Sequence, residues 1–104
     1  MLAFTNLLIG QSASDDFTGQ WKTNENEVVT IEKNGNSFEG TVSKHNKVKT
    51  ILEDITFSQE KWKGTLIKPK DGKKLNCELS LGGNELKIKV VKGFGSRTLT
   101  WVKL

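Results

Sequence analysis

The fold of this 104-residue chain is decided by the stretch KKLNCELSL at residues 73–81. Its apolar side chains fall at every second position, from Leu75 to Leu81, and its polar side chains fall between them. In an extended chain successive side chains point to opposite faces. The period of two therefore predicts a β-strand with one buried and one solvated face.

Turn residues flank this strand on both sides. Gly82-Gly83-Asn84 separates it from a second alternating run at residues 85–90, and Lys70-Asp71-Gly72 separates it from a run at residues 62–68. Short Gly-rich connections between alternating runs are typical of β-hairpins. The last third of the chain is therefore predicted to be an antiparallel meander.

The preceding residues predict further strands joined by turns. Asn34-Gly35-Asn36 is the clearest hairpin turn, because Asn and Gly tolerate a positive φ angle. Gly40 lies within a strand and predicts a bend or a bulge. Residues 48–57 fit either one bent strand or a strand with a short helical turn near Glu53-Asp54. The other predicted strands lie at residues 17–23, 28–33, 37–43 and 97–101.

These segments give about eight short strands in simple succession, with almost no helical periodicity. We therefore predict an all-β fold, a small antiparallel up-and-down barrel of the lipocalin or calycin type. The apolar positions that we expect to face the interior nearly fill a barrel of this size, so that at most a small pocket remains toward one open end. These positions are Trp21, Val29, Ile31, Phe38, Val42, Val48, Ile55, Phe57, Trp62, Leu66, Leu75, Cys77, Leu79, Leu81, Leu86, Ile88, Val90, Leu99 and Trp101.

The N-terminus is apolar over residues 1–10 and continues into the small residues Ser12-Ala13-Ser14. This pattern resembles the apolar core and cleavage region of a secretory signal peptide, although the basic segment that normally precedes them is missing. We interpret residues 1–14 as a signal-peptide remnant and residues 15–104 as a single β-barrel domain, which predicts a secreted or periplasmic protein. The alternative is an ordinary first strand that packs on the barrel. No run approaches the ~20 apolar residues of a membrane span.

Charge is distributed unevenly along the chain. Residues 15–60 contain five lysines and nine acidic residues, whereas residues 61–104 contain ten lysines, one arginine and three acidic residues. Lysines on solvated strand faces discourage edge-to-edge pairing between molecules, and this accounts for the excess without a function. The alternative is a surface that attracts anionic ligands.

Residues that carry chemistry are sparse. The single cysteine, Cys77, alternates with leucines, as a small hydrophobic residue does, and the single histidine, His45, lies in a polar loop. The neighbouring carboxylates Asp15-Asp16 and Glu53-Asp54 do not converge, because adjacent residues of a strand point to opposite faces. We therefore expect no catalytic residues, no metal site and no cofactor, and we predict that the protein is not an enzyme.

Three segments resemble a bacterial family catalogued as domain of unknown function 2147. They are Gly19-Gln20-Trp21, KWKGTLIKPKDGKKLNC at residues 61–77 and GSRTLTW at residues 95–101, in which Ser96 is inserted before the arginine. Fuller members carry a longer central segment, often with a Cys-x-x-Cys pair, which residues 44–60 lack. The positions that carry the resemblance are Gly19, Trp21, Trp62, Gly64, Pro69, Gly72, Arg97, Thr98, Thr100 and Trp101.

The resemblance implies a small exported protein with a lipocalin-like barrel and no established activity. It also implies a structural role for two residues. In lipocalins an arginine of the last strand packs over the tryptophan of the first strand and closes one barrel end. Arg97 and Trp21 would make that cation–π contact here.

The function that best fits these features is a non-catalytic binding module for a small apolar or anionic ligand, or for a protein partner. One alternative is a basic, OB-like barrel that binds nucleic acid. The chain has no tyrosine and its tryptophans are expected in the core, so no nucleic-acid partner is predicted. The other alternative is a purely structural or interaction protein.

Overall fold

A computed structural model of the chain describes residues 12–93 and 95–104. Its regular structure consists of strands alone, which confirms the all-β prediction. The strands are β1 (Gly19–Lys22), β2 (Val28–Asn34), β3 (Ser37–Lys44), β4 (Lys47–Ser58), β5 (Lys61–Ile67), β6 (Lys74–Gly82), β7 (Glu85–Lys92) and β8 (Gly95–Lys103).

Each strand pairs antiparallel with the next, and β8 pairs with β1, so the sheet closes into an up-and-down barrel as predicted. The closing seam is short. It consists of the pairs Trp21–Lys103 and Lys22–Val102, whereas β7 and β8 pair from Glu85–Val102 to Lys92–Gly95. The barrel is therefore held least firmly where its first and last strands meet.

The period of two decides which side chains enter the barrel. Along β6, Cys77 and Leu79 are buried, and Glu78 between them is not. No polar or charged residue is buried in the described part of the chain. The core consists of Phe17, Trp21, Val29, Ile31, Phe38, Val42, Ile51, Leu52, Ile55, Trp62, Leu66, Cys77, Leu79, Leu86, Ile88, Val90 and Trp101.

Strand β4 is continuous but bulged, so the helical turn considered near Glu53-Asp54 is not formed. The pairing of β3 with β4 shifts on both sides of Gly40, as its position in the sequence predicts. One consequence is that the neighbours Ile51 and Leu52 are both buried. The prediction that Val48 faces inward is wrong: the extra residue reverses the alternation, and Val48 is 70% exposed.

A second bulge in β4 explains the glycine at position 64. The pairing with β5 shifts between Glu53 and Thr56, and Asp54 between them has a φ of 56°. A Cβ atom on Gly64 would lie 2.2 Å from Ile55 Cδ1 and 2.9 Å from the carbonyl oxygen of Glu53. Gly64 therefore lets the bulged strand approach β5 more closely than any side chain would allow.

Phe17 covers one end of the barrel from outside the strands. Its ring makes edge contacts with Phe38 and Trp62, with centroids 5.2 Å apart in both pairs. The indole N–H of Trp62 donates to the carbonyl oxygen of Ser12 at 2.8 Å, and that of Trp21 donates to the carbonyl oxygen of Phe17 at 2.9 Å. These two bonds fix residues 12–17 across this end, which we call the closed end.

Candidate binding site at the open end

In an up-and-down barrel the connections alternate between the two ends. The closed end carries residues 12–18 together with the connections 34–37, 58–61 and 82–85. The opposite end, which we call the open end, carries the connections 23–27, 44–47, 68–73 and 92–95. The segment that ends in Phe17 has no counterpart at the open end among residues 12–93 and 95–104.

The inward positions of β6 and β8 become less buried toward the open end. Along β8, Trp101 is buried, and Leu99 is only half-buried although its partner Ile88 is fully buried. Along β6, Cys77 is buried and Leu75 is half-buried. The side chains of Leu66, Leu75, Val90 and Leu99 form what we call the apolar floor of the open end.

Cations occupy the next inward positions beyond this floor. Arg97 lies across from Val90, two residues before Leu99, and is exposed. Lys68 lies two residues after Leu66, and Lys73 lies two residues before Leu75, the partner of Leu66. The Lys68 N–H donates to the carbonyl oxygen of Lys73 at 2.9 Å. We call Arg97, Lys68 and Lys73 the cationic rim.

The two barrel ends differ in charge. The open-end connections contain six lysines and three carboxylates, whereas residues 12–18 and the closed-end connections contain one lysine and four carboxylates. Glu27 forms an ion pair with Lys44 at the open end. The charge imbalance between the two halves of the sequence is thus also an imbalance along the barrel, and it favours an anion at the open end.

The barrel wall is incomplete beside the rim. The pairing between β6 and β7 stops at Cys77–Val90, whereas β6 continues to pair with β5 and β7 continues to pair with β8. A cleft of about 340 Å³ lies at this point. Its lining consists of Lys68, Lys73, Lys74, Leu75, Asn76, Val91 and Gly93.

The prediction that Arg97 covers Trp21 is wrong. The cation over the Trp21 ring is Lys103, whose Nζ lies 4.9 Å from the ring centroid. Lys103 is also the cross-strand partner of Trp21. Arg97 precedes Lys103 by six positions on the same strand, roughly 20 Å of extended chain, and therefore lies at the opposite end of the barrel.

The glycines among the resemblance positions permit tight backbone geometry. Gly19 has a φ of 126°, and a Cβ atom there would lie 2.9 Å from Lys103 Nζ. Gly72 has a φ of 73° in the β5–β6 connection, where its N–H donates to the carbonyl oxygen of Lys68. Pro69 lies in the same connection and is exposed.

The remaining resemblance positions do not converge on one site. Trp62 and Trp101 are buried in the core. Thr98 and Thr100 lie across from Lys89 and Lys87 on the outer face of β8, away from the apolar floor. The two buried tryptophans and the glycines support the fold, and Arg97 is the one charged resemblance position at the open end.

The thiol of Cys77 is 2% exposed, and burial raises its pKa to about 12. His45 is exposed in the β3–β4 turn with a φ of 52°. Within residues 12–93 and 95–104 no three His, Cys, Asp or Glu side chains are grouped so that they could hold a metal ion.

Residues 19–103 match the family model of an uncharacterised protein conserved in bacteria, DUF2147. The chain belongs to this family. The solved structure of protein HP1028 from the human pathogen Helicobacter pylori, described as belonging to the lipocalin family, is similar with a TM-score of 0.71 at 18% identity. The likeness covers 88% of this chain and 84% of that one, and it shows that the DUF2147 chain has a lipocalin-like fold.

No curated protein matches the chain. In the described part of this DUF2147 protein, no helix has the length and apolar character that crossing a membrane would require.

The sequence predicted at most a small pocket toward one open end, but it did not indicate which end this would be or which residues would form the pocket. The floor residues could be recognised as inward-facing, but the partial exposure of Leu75 and Leu99 could not, because burial depends on where the neighbouring strands end. Lys68 and Lys73 flank the turn signal Pro69 to Gly72, where exposed lysines are ordinary. A detectable signal was the regular alternation itself: continued from Leu66 and Leu75, it places both lysines on the inward face.

Proposed function

We propose that this protein is a non-catalytic binding module that takes a small apolar ligand bearing an acidic group at the open end of its barrel. The observation that carries the proposal is the sequence of environments along the inward face of β8. Buried Trp101 is followed by half-buried Leu99 and then by exposed Arg97. An apolar surface next to a cation complements a ligand with an apolar body and an acidic group.

The position of the ligand follows from the filling of the core. Eight-stranded barrels are just wide enough to be filled by side chains or to hold one small ligand. Here three tryptophans are buried, and Phe17 covers the closed end. The ligand therefore rests on the apolar floor, with its acidic group among the rim cations.

The chemistry of the barrel supports binding without catalysis. No ionisable side chain is buried against the floor other than Cys77, and its raised pKa keeps the thiol protonated at neutral pH. A nucleophile or a general base needs an activated group beside the substrate, and the described residues at the floor offer none.

Nucleic-acid binding has less support. Single-stranded nucleic acid binds to exposed aromatic rings beside basic grooves. All three tryptophans are buried, with 2–4% of each exposed. The basic open end lacks a tryptophan or tyrosine on which a base would stack.

A protein partner is the second candidate, and a different surface favours it. A groove of about 760 Å³ runs over the outer face of the first strands. Its lining includes the exposed residues Val28, Val48 and Leu104, uncharged Thr30 and Thr41, and the ion pair of Glu27 and Lys44. Exposed apolar side chains rimmed by polar ones are typical of protein interfaces.

We further propose that the protein is exported to the periplasm or secreted, as the apolar residues 1–10 suggest. Residues 1–11 lie outside the described part of the chain. Mass spectrometry of the protein from a periplasmic extract would give its first residue. A cytoplasmic product that retains Met1 would contradict export.

Isothermal titration calorimetry with octanoate and with octylammonium tests the binding proposal. These probes share an apolar chain and carry opposite charges. We expect octanoate to bind and octylammonium to bind at least about 10-fold more weakly. The cations of the rim attract the carboxylate of octanoate and repel the ammonium group of octylammonium. Arg97→Gln should weaken octanoate binding, whereas the control Lys87→Gln on the outer face should not. Equal binding of the two probes, or no binding of octanoate, would overturn the proposal.

A further inference from the structure

The cleft between β6 and β7 differs from the rest of the barrel wall because its two sides belong to different hairpins. Asn76 lies on β6, which here pairs only with β5, and Val91 lies on β7, which here pairs only with β8. The opening of about 340 Å³ reaches the lower end of the size range of ligand pockets. Leu75 belongs both to the cleft and to the apolar floor, so the two surfaces are continuous.

Lys68 is the informative cation of this cleft. It is half-buried, whereas Lys73 and Lys74 are exposed. No ion pair or side-chain hydrogen bond joins its ammonium group to any residue in 12–93 or 95–104. Because no carboxylate of the described residues pairs with Lys68, its charge is available to a bound anion at this position.

The charges around the cleft indicate which kind of anion it would bind. Lys74 is neutralised by Glu53, with 3.2 Å between Nζ and Oε2. Asp71 of the adjoining turn accepts a hydrogen bond from the Lys73 backbone N–H at 2.9 Å, and its carboxylate offsets one of the three charges of Lys68, Lys70 and Lys73. Two positive charges therefore remain beside the cleft. A phosphate monoester carries about −1.5 to −2 at neutral pH, whereas a carboxylate carries only one negative charge.

We propose that this cleft binds a phosphate monoester group whose apolar remainder lies on the floor beside Leu75. The inference rests on the proposed function for its apolar half and names the acidic group of the ligand. Lys68 and Lys73 hold the phosphate oxygens by charge-assisted hydrogen bonds. The Asn76 side-chain amide adds an uncharged donor on the same side of the cleft.

Three soluble probes separate the two halves of the ligand in calorimetric titrations: octyl phosphate, octanol and methyl phosphate. The double variant Lys68→Gln/Lys73→Gln removes the proposed phosphate partners. The control Lys87→Gln/Lys89→Gln removes the same net charge from the outer face of β7. Both variants keep a polar side chain only one atom shorter than lysine at each position, and their far-UV circular dichroism should match that of the unchanged protein.

The expected result is that octyl phosphate binds more tightly than octanol. The loss of each lysine should lower the affinity for octyl phosphate by about 10-fold, because a charge-assisted hydrogen bond contributes about that factor to binding. The control variant should change the affinity by less than about threefold. Amide resonances of Asn76, Val91 and Gly93 should shift on binding.

Four other results are decisive. If octanol bound as tightly as octyl phosphate, the inferred phosphate site would be overturned, and the proposal that the apolar floor binds the ligand would still hold. Methyl phosphate binding at the cleft without octanol binding would support the phosphate site and count against the floor. If the affinity for octyl phosphate fell equally in both double variants, the loss would be an effect of net charge alone, and the phosphate site would be overturned. If none of the three soluble probes bound, both the phosphate site and the proposed binding function would be overturned.

The phosphate can come from a soluble metabolite or from a lipid head group. Vesicles of phosphatidylcholine with and without phosphatidic acid distinguish the sources, since phosphatidic acid is a phosphate monoester. Binding that requires phosphatidic acid and is lost in Lys68→Gln/Lys73→Gln, but not in the control, would support the site with a membrane as the source.

Discussion

Lys103 links the last strand of the barrel to the first through two contacts of one ammonium group. Its Nζ lies 4.9 Å from the centroid of the Trp21 ring and donates to the carbonyl oxygen of Thr18 at 3.0 Å. Both contacts reinforce the seam where β1 and β8 share only two residue pairs. The closure of this barrel therefore depends on Lys103, the last residue of β8.

Lys103→Met should lower the free energy of unfolding by about 1–2 kcal/mol, because it removes a cation–π contact and a charged hydrogen bond while keeping the apolar stem. Arg97→Met, at the other end of the same strand, should change it by less than about 0.5 kcal/mol. Urea denaturation measures both. A larger effect of Arg97→Met would mean that Arg97 closes the barrel.

Gly64→Ala should destabilise the protein by about 1–3 kcal/mol or more, because its Cβ atom would overlap Ile55 Cδ1 and crowd the Glu53 carbonyl oxygen. Adding Ile55→Val removes the overlapping methyl group. The double variant should therefore lose less free energy of unfolding than the two single variants lose in sum. Gly82→Ala is the matched control, since nothing lies within 4 Å of the added atom. Strict additivity in thermal unfolding would contradict this packing.

The stability of the protein should fall as the pH rises above about 9. The unfolded Cys77 thiol ionises near its ordinary pKa of 9.0, whereas burial keeps the folded thiol protonated up to a pKa of about 12. The unfolded state therefore binds fewer protons in this window, and the loss approaches about 1.4 kcal/mol per pH unit. Comparing Cys77→Ala with the unchanged protein in urea isolates this contribution from that of the lysines. Identical pH slopes would show that the thiol ionises in the folded protein.

Removing residues 1–14 should cost about 1 kcal/mol more than removing residues 1–11. The shorter deletion keeps Ser12, whose carbonyl oxygen accepts the indole hydrogen bond of Trp62, and the longer deletion removes it. Thermal unfolding of the two chains gives the difference. Equal stability would mean that the turn at Ser12 does not hold Phe17 over the closed end.

Local sequence patterns were sufficient to predict the barrel, because the period of two reports the inward face directly. Leu75, Cys77 and Leu79 are placed as their alternation predicts. Gly40 also marks a real shift in pairing. Val48 was placed on the wrong face because an alternation cannot reveal how many extra residues a bulge contains. That number is set by the contact of β4 with both neighbouring strands.

Features that depend on distant contacts could not be predicted in this way. Phe17 precedes the first strand, and nothing in its neighbourhood indicates that its ring meets Phe38 and Trp62. The choice of Lys103 over Arg97 depends on the register between β1 and β8, which only the closed barrel defines. The β6–β7 cleft likewise arises because two hairpins separate before their strands end.

The most direct test of the central claim is a two-dimensional ¹H–¹⁵N titration with octanoate that locates the ligand. The predicted result is a set of saturable shifts confined to the open end, at the amides of Leu66, Leu75 and Leu99. The amides of Phe17 and Phe38 at the closed end should not move. Shifts centred on Phe17 and Phe38 would place the ligand deep inside a hollow barrel and contradict the claim that this DUF2147 protein binds at its open end.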